Sequence, residues 1–259
     1  MTPAMGGSFR SMPEETLLRE QVVECCRRMH ERGYISGGEG NVSVRLGPGH
    51  LLITPAGVNK GYLRPHDLLV VDMSGQPARG RGRPSSEILV HLAAYRARPL
   101  VGAVVHAHPP TATAFTIVGL PIAPCLTPES VVVLGGVPTA EYATPSSEEL
   151  ARHVERLLVE HDVVMMDRHG SVTLGRDVFE AYDRLESLEH TAWTTFLARA
   201  LGPVRPLPPS EVARLQAMAA AMGRSWNTCQ GCTACGVPGG GDEGALIAAV
   251  VERVLSRLR

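Results

Sequence analysis

The stretch Val104-Val105-His106-Ala107-His108-Pro109 organises the reading of this chain. A run of β-formers, Val101 to Val105, leads into two histidines at i and i+2, and Pro109 ends the run. On an extended strand alternate side chains share a face, so His106 and His108 point the same way. Two imidazoles on one face at the end of an apolar strand are placed to grip one divalent cation. Taken alone, they read more readily as two half-exposed polar residues. A third candidate favours the metal. His169, in Met165-Met166-Asp167-Arg168-His169-Gly170, closes a second apolar strand, Val163 to Met166, and a glycine follows it. Three neutral imidazoles that leave one position open are the arrangement of a catalytic zinc site.

The 259 residues are enough for one sizeable core with an appendage. Lys+Arg 25 against Asp+Glu 26 gives a formal net charge of −1, so the overall balance exerts no pull toward nucleic acid or a membrane surface. No apolar run approaches the roughly 18 residues of a membrane span. The first 12 residues are Gly/Ser-rich and lack the apolar centre of a signal peptide. They read as a flexible tail, and a cytoplasmic location is expected. Of six cysteines, Cys25 and Cys26 are adjacent, Cys125 is isolated in sequence, and Cys229, Cys232 and Cys235 cluster. That is not the even framework of a small secreted domain.

Taken in order, Pro13, Glu14 and Glu15 open a helix that stops at Gly33. A glycine-rich turn, Gly37 to Gly40, runs into the alternating strand Asn41 to Arg45. Gly47-Pro48-Gly49 then turns a hairpin into Leu51-Leu52-Ile53. Leu68 to Val71 is a further strand. Pro84-Ser85-Ser86-Glu87 begins a helix, with Ser85 or Ser86 as the expected N-cap. After the histidine strand come a short helix from Thr111, another from Pro145 to His161, the two strands around His169, and a long helix from Asp177 to Ala200. From residue 202 the character changes. Pro203 to Pro209 reads as a linker, followed by a helix, a Gly/Cys-rich segment and a last amphipathic helix. This divides the chain into a tail (1–12), a catalytic domain (13–201) and a C-terminal appendage (202–259). Short strands and helices in alternation predict a mixed sheet covered by helices.

Three turns could hold an anion: Gly40-Asn41, Thr54-Pro55-Ala56-Gly57 and Pro84-Ser85-Ser86. Each offers backbone N–H groups with a small hydroxyl or an amide, and the last stands at a helix start. Singly, each also reads as an ordinary turn or cap, and Glu87 as a first-turn carboxylate.

Together and in this order, Gly40-Asn41-Val42-Ser43-Val44-Arg45, Thr54-Pro55-Ala56-Gly57, Pro84-Ser85-Ser86-Glu87, His106-Ala107-His108-Pro109 and His169-Gly170 resemble the class II aldolase/adducin family, in particular its L-fuculose-phosphate aldolase branch. The resemblance spans roughly Leu17 to Leu197. It implies an α/β fold, a three-layer α/β/α sandwich with a mixed, largely antiparallel central sheet, assembled as a fourfold tetramer. It further implies that His106, His108 and His169 bind Zn2+, with Mn2+ or Fe2+ as alternatives, and that Glu87 is the acid/base. Gly40, Asn41, Gly57, Ser85 and Ser86 would hold a substrate phosphate. The implied activity is reversible C–C cleavage of a small, phosphorylated hydroxy-carbonyl compound such as a sugar phosphate, through a metal-stabilised enediolate. That chemistry suits the residues: a Lewis acid on the carbonyl oxygen and a carboxylate beside it. Lys60 is the only lysine, so a Schiff-base mechanism would rest on it alone.

Two departures keep other chemistries of the family open. Ala56 stands where the aldolase branch carries a hydroxyl residue. The segment Ala123 to Glu129 lacks the tyrosine that serves there as proton donor. Decarboxylase, dehydratase, epimerase and oxygenase reactions therefore remain alternatives, as does a non-catalytic adducin-like module. The last is disfavoured by three intact histidines. Beyond the resemblance, Cys229-Gln230-Gly231-Cys232-Thr233-Ala234-Cys235 lacks the fourth cysteine and the proline of a ferredoxin-type run. It is left as a metal-free segment, a zinc or cluster site, or a disulfide.

Overall fold

The computed structural model describes residues 12–222, apart from 48 and 123. Residues 1–11 of the expected tail, the three clustered cysteines and the last expected helix lie outside the described residues, and Met12 already belongs to the first helix. The elements are α1 (Met12–Glu31), β1 (Asn41–Gly47), β2 (His50–Ile53), β3 (Leu69–Asp72), β4 (Pro77–Arg79), α2 (Ile88–Ala97), β5 (Ala103–Ala107), α3 (Pro110–Ile117), α4 (Pro128–Val133), β6 (Thr139–Ala140), α5 (Glu148–Leu158), β7 (Val163–Met166), β8 (Gly170–Gly175), α6 (Val178–Leu201) and α7 (Pro209–Ala221). The strands form one sheet in the order β4-β3-β2-β1-β5-β8-β7-β6. Every neighbouring pair is antiparallel except β6 beside β7. The mixed, largely antiparallel sheet expected from the sequence is therefore present.

Strand alternation sets the layers. Val42 and Val44 of β1 and Ala103, Val105 and Ala107 of β5 pack with Val22, Cys25 and Met29 of α1 and with Ala181, Tyr182 and Leu185 of α6. The other face buries Leu51, Ile53, Leu69, Val104, Val164 and Val172 under Val90, Leu92 and Tyr95 of α2 and Leu150, Val154 and Leu158 of α5. Each such large aliphatic side chain, fully withdrawn from water, contributes about 1.5–3 kcal/mol. Both faces of the sheet are thus covered, which gives three layers.

Two caps agree with the sequence. Asp177 accepts from the Phe179 and Glu180 amides at the start of α6, and Ser147 accepts from Leu150 N at the start of α5. Two details differ. β4 is an extra, fully exposed edge strand, opened by Pro77 and tolerable there because an edge leaves an N–H unneeded. The expected N-cap at Ser85 or Ser86 is not formed: α2 begins at Ile88, and Glu87 occupies the cap position without a side-chain capping bond. The reason is a competing pairing. Ser85 N donates to Thr54 O (3.2 Å), Ala56 N donates to Arg83 O (2.9 Å), and Pro55 bridges Pro84. This holds residues 83–85 extended, so the chain can coil only afterwards.

Candidate metal centre

The register of the central strands places Asn41 of β1 directly beside His106 of β5, with Val172 of β8 on its other side. His106 is buried, and its Nδ1 lies 2.9 Å from the Ser171 carbonyl oxygen. That bond assigns the hydrogen to Nδ1 and leaves the Nε2 lone pair facing the centre. His108 brings its Nε2 to 3.1 Å from His106 Nε2, while its Nδ1 faces the Glu39 carboxylate at 3.5 Å. His169 sits in the β7–β8 turn, where Arg168 takes φ 57° and the His169 amide donates to Met166 O at 3.1 Å. The following residue has to be glycine, because a Cβ on Gly170 would overlap the Ala107 carbonyl oxygen and crowd the His108 ring. The three rings stand almost symmetrically, with centroids 4.9, 5.0 and 5.0 Å apart.

Glu87 closes the fourth side. Its Oε2 is 2.7 Å from His106 Nε2, and its Oε1 is 3.0 Å from His169 Nε2. Beyond that contact no hydrogen bond satisfies the buried Oε1, and none satisfies His169 Nδ1. One ligating atom from each of Glu87, His106, His108 and His169 lies within 4.8 Å of the others. Lone-pair atoms that converge in a buried space around a carboxylate oxygen with no hydrogen-bond donor fit a divalent cation. Three imidazole nitrogens and a carboxylate suit zinc, manganese or iron.

In the absence of an ion the buried groups set one another's charge. Burial alone would raise the Glu87 carboxyl, but the charge of His106 and the close contacts with His106 and His169 outweigh it and hold Glu87 well below the usual carboxylate range. Burial, with His106 and His169 beside it, pushes His108 down to about 4. Burial also opposes the charged form of His106, yet Glu87 overcomes it and raises that group.

The three anion-type turns lie side by side next to this centre. The pairing of residues 54–56 with 83–85 joins two of them, and Thr54 Oγ1 accepts from Val42 N at 3.2 Å, joining the third. Gly40 adopts φ 66°, and a Cβ there would overlap Ile35. Gly57 and Ser86 are exposed, whereas Ser85 is buried and its Oγ accepts from Glu87 N at 3.3 Å. Asn41 spends its amide inward. Its Nδ2 donates to Glu87 Oε2 at 3.2 Å, and its Oδ1 meets His91 Nε2.

Sequence reasoning passed over His91, and weighed Lys60 only as a Schiff-base residue. The Lys60 ammonium is buried and donates to the carbonyl oxygens of Gly38 and Val58, both at 2.8 Å, tying the first two turns together. Burial lowers its pKa. The signals were available: a lone lysine just after the second of two glycine turns, and a histidine four residues beyond Glu87.

Residues 20–196 match the family model described as Class II Aldolase and Adducin N-terminal domain. The 3-oxo-tetronate 4-phosphate decarboxylase of Escherichia coli is 36% identical over 208 residues, covering 78% of this chain and 96% of that protein. The L-fuculose phosphate aldolase of Methanococcus maripaludis is 34% identical over 179 residues, 69% of this chain and 96% of that protein. Among solved structures, YgbL of Escherichia coli superposes with a TM-score of 0.73 at 35% identity, covering 78% of this chain and 99% of that one. With the matched segment holding every residue of the centre, this chain belongs to the class II aldolase and adducin family.

Proposed function

We propose that the chain is a metal-dependent aldehyde-lyase that cleaves a C–C bond beside the carbonyl of a small phosphorylated hydroxy-carbonyl compound. The observation that carries this reading is the convergence of Glu87, His106, His108 and His169, with Glu87 Oε1 buried among them and lacking a hydrogen-bond donor. His106, His108 and His169 would hold the ion, proposed to be zinc with manganese or iron as alternatives. When bound there, it supplies Lewis-acid charge for an oxyanion developing on the substrate.

The other tasks fall to the chain's own groups. Glu87 takes and returns the proton on the carbon next to the carbonyl, through Oε1, because Oε2 already accepts from Asn41. The Ser171 carbonyl fixes the tautomer of His106. Gly40, Gly57, Ser85 and Ser86 border the substrate phosphate, with Asn41 at the inner edge of that set and its amide turned to Glu87. A homotetramer is part of the proposal. Trp193 and Phe196 stack on α6 with ring centroids 5.5 Å apart, and with Leu197 and Leu201 they leave an exposed apolar stripe that supports a covered surface. Among the described residues no helix is long and apolar enough to cross a membrane. A cytoplasmic location and the domain limits 13–201 and 202–259 belong to the same proposal. α7 packs against α4, and Leu207 N donates to Cys125 O at 2.9 Å.

Decarboxylation is the second reading. It is favoured by the 36% identical decarboxylase and by the tyrosine-free segment Ala123 to Glu129. Loss of carbon dioxide from a 3-oxo acid places charge on the same carbonyl oxygen and requires no base for a substrate hydroxyl. Metal-loaded protein incubated separately with L-fuculose 1-phosphate and 3-oxo-tetronate 4-phosphate distinguishes them. Dihydroxyacetone phosphate released together with an aldehyde from L-fuculose 1-phosphate supports aldol cleavage, and dihydroxyacetone phosphate released together with carbon dioxide from 3-oxo-tetronate 4-phosphate supports the second reading. Inertness toward both overturns both.

A further inference from the structure

A buried chain of hydrogen bonds runs from Glu87 into the layer between β1 and α2. Asn41 Nδ2 donates to Glu87 Oε2 at 3.2 Å, and Asn41 Oδ1 meets His91 Nε2. His91 Nδ1 lies 2.6 Å from Ser43 Oγ, which lies 3.0 Å from the Tyr95 hydroxyl. None of these five residues is more than 8% exposed, and Ser43 and His91 are fully buried. Their spacing follows from the two elements. Asn41 and Ser43 are alternate residues of a strand, and Glu87 at the N-cap of α2 is followed at four-residue intervals by His91 and Tyr95 of that helix.

The direction of every bond is forced from one end. A carboxylate only accepts, so Asn41 turns Nδ2 to Glu87 and keeps Oδ1 for His91. That oxygen also only accepts, so His91 carries its hydrogen on Nε2. A neutral imidazole then accepts at Nδ1, Ser43 donates to it, and Tyr95 donates to Ser43. Burial and the neighbouring His106 push His91 down to about 3, which agrees with the neutral form. Rotating the Asn41 amide by half a turn would set two acceptors face to face at one end and two donors at the other.

We propose that His91 is a positioning residue: as the neutral Nε2–H tautomer it fixes the Asn41 amide, which keeps Glu87 Oε2 engaged as an acceptor and leaves Oε1 as the oxygen that exchanges the proton with substrate. The inference rests on the acid/base reading of Glu87. A buried imidazole that merely filled space would be replaceable by an apolar ring of similar size, and a member of this chain would not.

Two measurements test it. In 15N-labelled, metal-free wild type, long-range proton–nitrogen correlations are expected to show His91 protonated at Nε2 and unprotonated at Nδ1. The opposite tautomer, or an imidazolium at neutral pH, overturns the proposal, and this result does not depend on any variant folding. In metal-loaded protein, turnover is read by solvent-deuterium exchange into dihydroxyacetone phosphate or by carbon dioxide release from 3-oxo-tetronate 4-phosphate, whichever the wild type catalyses. His91→Phe is expected to lower kcat about 10–100-fold, the usual effect of removing a partner that orients a ligand or base, with KM and metal content unchanged. His91→Gln, whose amide offers one donor and one acceptor, is expected to restore most of the loss. In a Glu87→Gln background His91→Phe should cost nothing further, since both act on one carboxylate. Wild-type turnover in folded, metal-loaded His91→Phe, or losses that simply add, overturn the proposal. Wild-type turnover in Glu87→Gln alone would instead refute the acid/base reading of Glu87, and the tautomer measurement would still decide how Asn41 and His91 are arranged.

Discussion

Acidification of the metal-free protein is expected to expose the buried, neutral state of His91. Its ring makes two internal hydrogen bonds and is fully buried, and its pKa is pushed from 6.5 to about 3 by burial, with His106 adding to the effect. Above pH 6.5 the ring is neutral in both folded and unfolded chains and contributes no pH dependence. Between 6.5 and about 3 the unfolded chain binds a proton that the folded chain does not, so stability falls as pH falls. The slope is about 1.4 kcal/mol per pH unit, or about 2 kcal/mol between pH 7 and pH 5. His106, whose pKa is raised, works in the opposite sense: its contribution is present at low pH and is lost as pH rises through its folded value. It is present in both wild type and variant, so all but its coupling to His91 cancels in their difference. Urea unfolding of wild type and His91→Gln at pH 7, 6 and 5 reads that difference directly. The wild type is expected to lose about 2 kcal/mol more than the variant over this range. Equal losses would refute the assignment of His91 as a neutral, buried ring.

Glu87→Gln is expected to retain the metal and the fold while kcat falls by about 10²–10⁴, the usual contribution of a general acid/base, with metal analysis and steady-state kinetics as the check. Lys60→Met keeps the side-chain length but strips the Gly38 and Val58 carbonyls of a charged donor. Hydrogen bonds to charged groups contribute about 1.5–3 kcal/mol each, offset here by no longer burying an ammonium, so a net loss of about 1–3 kcal/mol in urea unfolding is expected, together with a raised KM for a phosphorylated substrate. Ser86→Ala should raise KM more than it lowers kcat, because a remote phosphate handle contributes mainly uniform binding. Unchanged kinetics in both Ser85→Ala and Ser86→Ala would remove these hydroxyls from the phosphate site.

Much of the centre was legible because strand geometry is strict. The i, i+2 spacing of His106 and His108 needs only an extended backbone to place them together, and Val163 to Met166 could hardly be anything but the strand that delivers His169. The layered fold followed from the same alternation. What escaped the reading depends on contacts between elements distant in sequence. Ser85 is a good capping residue locally, but its backbone is drawn into pairing with Thr54, 31 positions earlier, and the helix starts later for that reason. Asn41 has the residue type of an anion ligand, yet its amide is held by Glu87 and His91 from another element. His91 was concealed by its surroundings. In Ile88-Leu89-Val90-His91-Leu92 it reads as a polar interruption of an apolar helix, and its partners become visible only when α2 is laid across β1. β4 is three exposed residues opened by a proline, with no periodic pattern to reveal it.

The central claim is that three histidines and their carboxylate neighbour form a site for one divalent ion, and metal stoichiometry tests it most directly. Protein dialysed against a zinc buffer, freed of loose metal and analysed by mass spectrometry is expected to carry one ion per chain in the wild type and in Glu87→Gln. Alanine at His106, His108 or His169 should leave a folded protein, by circular dichroism, with most of that ion gone. A folded His169→Ala variant that keeps a full equivalent of metal would contradict the account.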